Sequence, residues 1–255
     1  MNYIYKINNN NIGHFLHEEL IPLWNFINNN EINKLIITNS CDFITSIIKI
    51  ILPTSNIKCV TNLCQYSSYQ TIEIKKNRLN FNKDHNSYKR IVLLREMIYN
   101  RYSIPLTIPV NYKILYTRSD CHRRRLLNYN EISNMFDIVI HNFSINFEEV
   151  VKLLSKSSHF VSLEGAAFTN VLAMNPLTKV LSIQVGSTNS WQKMFGTYKL
   201  VTDFNTDYIE TTNLKKPELN MSINNLNTKF DNDIKFNYDV EVTEDLKVYI
   251  EKWLS

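Results

Sequence analysis

The stretch His159-Phe160-Val161-Ser162-Leu163-Glu164-Gly165-Ala166-Ala167-Phe168-Thr169-Asn170-Val171-Leu172-Ala173-Met174 decides the fold. Its first part, HFVSLE (159–164), is short and rich in strand-forming residues. Its second part, GAAFTNVLAM (165–174), reads as a helix entered through three small residues. Strands written as apolar runs and separated by helices belong to a parallel sheet covered on both faces.

The same alternation extends on either side. YKILYT (112–117) reads as a strand, NEISNMF (130–136) as a helix and DIVIHN (137–142) as a strand. FEEVVKLLSKS (147–157) is a helix and KVLSIQV (179–185) a further strand. The first half repeats it. IGHFLHEELIPLWNFI (12–27) carries Phe15, Leu16, Leu20, Leu23, Trp24 and Ile27 at helical spacing. KLIITNS (34–40), KCVTN (58–62) and QTIEIKK (70–76) read as strands. DFITSIIKIIL (42–52), stopped by Pro53, and SYKRIVLLREMIYNRY (87–102) read as helices. IPLTIPVN (104–111) has two prolines and no regular period, and marks a boundary.

The expected class is therefore α/β with two Rossmann-like domains. The first spans 1–110 and the second 111–238, and a last helix over 239–255 is expected to pack back on the first. Residues 203–237 are polar and asparagine-rich, and no element is assigned to them. In such sheets ligands lie beyond the carboxyl ends of the strands, so the loops after 117, 142, 164 and 185 are the ones to examine.

Composition narrows the class. The chain has 255 residues, 44% hydrophobic and 12% aromatic, enough to fill a core and too many for wholesale disorder. Its net charge of +4 is too small to imply a nucleic-acid partner. No window approaches ~18 uninterrupted apolar residues, so no membrane span is expected. The first residues lack a basic segment followed by an apolar run, so the expectation is a cytoplasmic chain without a secretory signal. About 35 asparagines, with scarce glycine and alanine, reflect codon bias; an AT-rich virus or protist would fit. Cys41, Cys59, Cys64 and Cys121 form no CxxC pair and are expected as free thiols.

Three clusters could carry chemistry. In Thr117-Arg118-Ser119-Asp120-Cys121-His122-Arg123-Arg124-Arg125, four arginines follow a strand's carboxyl end, and guanidinium forks match phosphate oxygens. A solvated basic turn is the plainer reading. Gly165, Ala166 and Ala167 leave backbone N–H groups open to an anion at a helix start, or serve close helix–sheet packing; the segment is neither a GxGxxG nor a Walker motif. In the first helix His14, His17, Glu18 and Glu19 fall within six residues, with His14 and Glu18 on one face. That pattern suits a general base, and equally a solvated helix face. No third metal ligand accompanies it, so no metal site is expected. Asp231-Asn232-Asp233 follows a polar stretch and reads as a turn. Asn142-Phe143-Ser144 matches a glycosylation sequon that a cytoplasmic chain would not use.

Three segments together resemble glycosyltransferase family 61, in its protein O-mannose N-acetylglucosaminyltransferase 2 branch. They are HFLHEELIPLW (14–24); Arg118 with Arg124-Arg125-Leu126-Leu127-Asn128 and Glu131-Ile132; and 147–174, the most specific. The resemblance spans about 11–185. It implies a GT-B-like enzyme of two domains facing across a cleft, inverting the sugar it transfers. A UDP-sugar donor is implied, UDP-N-acetylglucosamine before UDP-xylose, with a glycan or glycoprotein acceptor and no required metal or other cofactor. By the same resemblance Arg118, Ser119, Arg124, Arg125, Asn128, Glu131, Glu164, Gly165, Ala166 and Asn170 would hold the donor. Glu18, with Glu19 second, would be the base, and His14 would position it. One position departs from the pattern: Glu164 stands where the family usually has histidine. A carboxylate repels phosphate unless it binds ribose or uracil. A non-catalytic sugar-nucleotide-binding protein of the same fold is therefore the alternative, and a nucleic-acid-binding module a more distant one.

Overall fold

The computed structural model describes residues 1–8, 15–52, 55–61, 68–73, 85–104, 111–120, 124–141, 147–185, 205–211, 214–215 and 239–255. His14, Cys64, Cys121, Arg123, the 142–144 sequon and the 231–233 triplet lie outside them. The chain is mixed α/β with parallel sheets. It divides into two compact units. One is Met1–Pro105 with Ser144–Ser155 and Thr169–Met174; the other is Leu106–Phe143, Lys156–Phe168 and Asn175–Ser255. The chain thus passes between units several times, where the sequence suggested a crossing at 110 and a return by the last helix.

The first unit holds a four-stranded parallel sheet in the order β3-β2-β1-β4, with β1 Asn2–Lys6, β2 Lys34–Thr38, β3 Ile57–Cys59 and β4 Gln70–Thr71. Leu35, Ile36, Ile37 and Thr38 are all buried in succession, which is what a strand covered on both faces requires. After β1 a π-helix, Phe15–Leu20, runs straight into an α-helix, Ile21–Asn28. Pro22 sits in the first turn of that α-helix, at its junction with the π-helix. The helix Asp42–Ile51 carries Asp42 in its first turn and Lys49 in its last, both favourable to the helix dipole. Phe147, opening the helix Phe147–Leu154, packs edge-on against Phe43 at 5.8 Å and Tyr102 at 6.2 Å. Cys41 and Cys59 are free thiols.

The second unit is built on a five-stranded, all-parallel sheet in the order β10-β9-β8-β5-β7. Its strands are β5 Tyr112–Tyr116, β7 Ile138–Ile140, β8 Ser157–Leu163, β9 Lys179–Val185 and β10 Asn205–Thr211. Beside it, β6 Leu126–Leu127, β11 Leu214–Lys215 and β12 Asp239–Glu241 form a small sheet in the order β11-β12-β6. The chain lays down β5, adds β7 on one side, then returns to add β8, β9 and β10 on the other. The direction reverses between β5 and β8, and the carboxyl ends of these two strands flank the crevice where open parallel sheets bind ligands.

One face of that sheet contributes Leu115, Val161, Leu163, Leu181 and Ile183 to a core shared with Val240, Val242, Leu246, Ile250 and Leu254. The last three lie on the terminal helix Glu244–Leu254, which Thr243 caps by accepting from the Leu246 N–H at 3.4 Å. This corrects the expectation that the helix packs on the first domain. Its apolar stripe was visible in sequence, but the stripe is spent inside the second unit. Trp253 Nε1 fixes the same helix to β10 through Asp207 Oδ2 at 2.8 Å.

His159 stands edge-on to Trp253 at 5.3 Å between ring centroids. Burial, then the charges of Lys179 and Lys113, push its imidazole down to about 4. An unfolded histidine titrates near ~6.5. Between those values the unfolded chain binds the extra proton, so stability falls as pH is lowered through the window. The ring is partly exposed, and screening holds the effect to on the order of 1 kcal/mol. Thermal melts at pH 7 and pH 4.5 are expected to show a smaller acid-induced loss in His159→Gln than in the wild type. Equal losses would remove this histidine from the account.

Candidate functional site

The carboxyl end of β5 runs into the arginine loop, and its backbone is unusual. Five described non-glycine residues have positive φ: Asn39, Ser103, Arg118 (57°), Arg124 (53°) and Asn128 (54°). Three of the five fall within residues 118–128. Left-handed backbone costs an L side chain about 1–2 kcal/mol per residue, and strain of this kind collects at functional sites.

The two strained arginines converge on one point. Gly165, just past the carboxyl end of β8, has φ +142°. A Cβ built there would lie 3.3 Å from Arg118 Nη1, 3.5 Å from Arg124 Nη1 and 3.8 Å from Arg124 Cζ. Only glycine satisfies both the backbone angle and the close approach. Two guanidiniums thus rest over the backbone of Gly165 at the point where the sheet order reverses. Arg118 Nε is buried and makes no hydrogen bond among the described residues. Like charges held this close favour an anion between or above them. Glu164, buried next to Gly165, gives its N–H to Ile183 O at 2.9 Å. The two guanidiniums concentrate positive charge at this point.

The third described arginine of the loop does other work. Arg125 gives its backbone N–H to Asp239 Oδ1 at 2.7 Å, and Nε and Nη2 to Asp239 Oδ2 at 3.0 and 2.6 Å. Asp239, on β12, is fully buried. Its carboxylate is therefore compensated by two guanidinium donors on Oδ2 and a backbone donor on Oδ1, as buried charge requires. Arg125, expected among the donor ligands, is a structural tie between the loop and β12. Asn128 sits at the far end of the loop, 3.4 Å from Glu241 Oε1, and Glu131 is exposed in the short helix Asn130–Ser133.

Ser119 is tied to the end of β7. Its Oγ lies 2.8 Å from His141 Nδ1, and Thr117 Oγ1 lies 3.1 Å from the same nitrogen. His141 follows β7 directly and was not singled out in sequence. The signal was its position at the carboxyl end of an apolar run. Ala166 and Asn170 lie in the 3-10 helix Ala166–Ala173 that follows Gly165. Asn170 is buried, and its Oδ1 has no hydrogen-bond partner among the described residues.

In the first unit, Glu18 and Glu19 both lie in the π-helix. They differ sharply in setting. Glu19 is buried, and its Oε2 accepts from the Tyr5 hydroxyl at 2.5 Å and the Asn8 N–H at 3.0 Å. Burial, then the Glu19 carboxylate, raises the Tyr5 phenol far above its ordinary range, so it stays a donor. Glu19 is an anchor between the π-helix and β1, and Tyr5, unnoticed in sequence, is its partner. Glu18 is only partly buried. No group of three or more ligating side chains that could hold a metal occurs among the described residues. No described helix is long and apolar enough to cross a membrane.

A family model described as glycosyltransferase 61 matches residues 12–181. No curated protein matches the chain. Among solved structures, a match is the dodecameric iron-containing heptosyltransferase TibC in complex with ADP-D-β-D-heptose. The identity is 16% and the TM-score 0.38, with 71% of this chain and 57% of that chain covered. The chain therefore spans little more than half the length of that heptosyltransferase.

Proposed function

Because the chain belongs to the glycosyltransferase 61 family, we propose that it transfers a sugar from a UDP-sugar to a hydroxyl of a glycan or glycoprotein. The observation that carries the reading is the convergence of Arg118 and Arg124 on Gly165 at the switch point of the second sheet. Two guanidiniums converging on one point suit the diphosphate of a nucleotide-sugar. That group gains negative charge as the glycosidic bond breaks, and preorganised cations there stabilise the leaving UDP. No metal is needed in this scheme.

The donor then belongs to the second unit and the acceptor to the first, the order of a GT-B enzyme. In an inverting transfer, a carboxylate takes the acceptor's hydroxyl proton as the hydroxyl oxygen attacks the sugar carbon. The bond from that carbon to the diphosphate breaks on the opposite side. Glu18 is the proposed base, and Glu19, tied to Tyr5 and Asn8, holds the turn that presents it. UDP-N-acetylglucosamine is the favoured donor and UDP-xylose the next, by the likeness of the three motifs to the protein O-mannose N-acetylglucosaminyltransferase 2 branch. Glu164, one residue before the arginine-covered glycine, would then meet ribose or uracil instead of phosphate.

The test is a calorimetric titration of the purified protein with UDP and a panel of UDP-sugars, with magnesium and with chelator. Binding of UDP in both conditions is expected, with one UDP-sugar consumed when acceptors are added. Binding with no transfer to any acceptor would favour the non-catalytic reading that Glu164 motivates. No binding to any uridine nucleotide would end the donor assignment.

A further inference from the structure

Arg118 keeps a left-handed backbone (φ 57°), and such a conformation persists only where its surroundings fix it. A single side chain fixes the residues on both sides of it. His141 Nδ1 lies 2.8 Å from Ser119 Oγ and 3.1 Å from Thr117 Oγ1, the residues that follow and precede Arg118. Thr117 Oγ1 also accepts the Ser119 N–H at 3.3 Å and reaches Ile140 O at 3.3 Å. The Thr117 N–H donates to the same Ile140 carbonyl at 2.9 Å. The histidine is itself set in place: it follows β7 directly, and its ring packs at 5.3 Å from that of Tyr129.

We propose that His141 is a positioning residue for donor binding, clamping Thr117 and Ser119 so that the strained Arg118 between them keeps its guanidinium over Gly165. The proposal rests on the reading of the arginine pair as the diphosphate site. It assigns a role to the one polar side chain of β7's carboxyl end that bridges both neighbours of Arg118. It also gives a role to Thr117, a fully buried hydroxyl directly after β5.

Asparagine and glutamine separate the clamp from general packing. An asparagine at 141 places a polar atom near the position of Nδ1, whereas glutamine places one near Nε2. Amide exchange of the Thr117–Ser119 stretch is measured first, without ligand, in wild type, His141→Ala, His141→Asn and His141→Gln. Exchange there is expected to quicken at least tenfold in His141→Ala and His141→Gln and to return toward wild type in His141→Asn, with the rest of the second unit unchanged. UDP titrations of the same proteins are expected to follow that order, with a loss of about tenfold in His141→Ala. The double variant His141→Ala/Arg118→Ala should bind no worse than Arg118→Ala alone, because the histidine acts through that arginine. Unaltered exchange in His141→Ala, or additive losses in the double variant, would overturn the clamp. If the wild type binds no UDP while exchange behaves as expected, the clamp stands and the donor reading falls.

Discussion

Arg124→Ala is expected to lower kcat/KM for the UDP-sugar by about 10²–10³, the range seen when one preorganised donor to a developing oxyanion is removed. Most of the loss should appear as weaker binding of UDP as well, because the product carries the same diphosphate. The argument rests on geometry. Arg124 Nη1 and Cζ come within 3.5 and 3.8 Å of where a Cβ on Gly165 would lie, so the guanidinium occupies the space beside that glycine. A phosphate seated there would meet a fixed fork and not a mobile charge. Arg124→Lys should recover only part of the affinity, since an ammonium keeps the charge and loses the fork. Unchanged UDP affinity in Arg124→Ala would remove the arginine pair from the donor site.

Neighbouring arginines with opposite duties show where sequence reading stops. Arg124 and Arg125 are indistinguishable as letters in a basic run. What separates them is Asp239, more than a hundred residues later, whose buried carboxylate takes every donor Arg125 offers on that side. Such a pairing has no local signature. By contrast, the parallel sheet of the second unit was legible, because strands buried on both faces must be written with apolar runs such as Ile114–Tyr116 and Phe160–Val161. The edge strand Asn205–Thr211 was not legible. Its sequence, NTDYIET, alternates polar residues with a few apolar ones, as an edge permits, and it resembles the polar stretch after it. The terminal helix showed its stripe of Leu246, Ile250 and Leu254 but not the surface that stripe covers. A loop's charge can likewise be read in advance, whereas the strain at Arg118, Arg124 and Asn128 exists only in the folded backbone.

The acidic pair of the first unit separates by the same logic, and Glu18→Gln is the sharper experiment. It is expected to lower kcat by about 10²–10⁴, the contribution of a positioned general base, while leaving UDP affinity and the melting temperature near wild type. Glutamine keeps the shape and cannot take the acceptor's proton. Glu18 is partly buried, so it can meet a substrate. Glu19 is buried and holds Tyr5 and the Asn8 N–H with one oxygen. Glu19→Gln weakens charge-assisted hydrogen bonds of about 1.5–3 kcal/mol each, so its effect should register first as a lower melting temperature. Activity would then fall only as far as the π-helix shifts. The opposite pattern, a kcat collapse in Glu19→Gln at unchanged stability with Glu18→Gln fully active, would transfer the base to Glu19. Its second oxygen, buried and without a hydrogen bond among the described residues, would then be the atom that receives the proton.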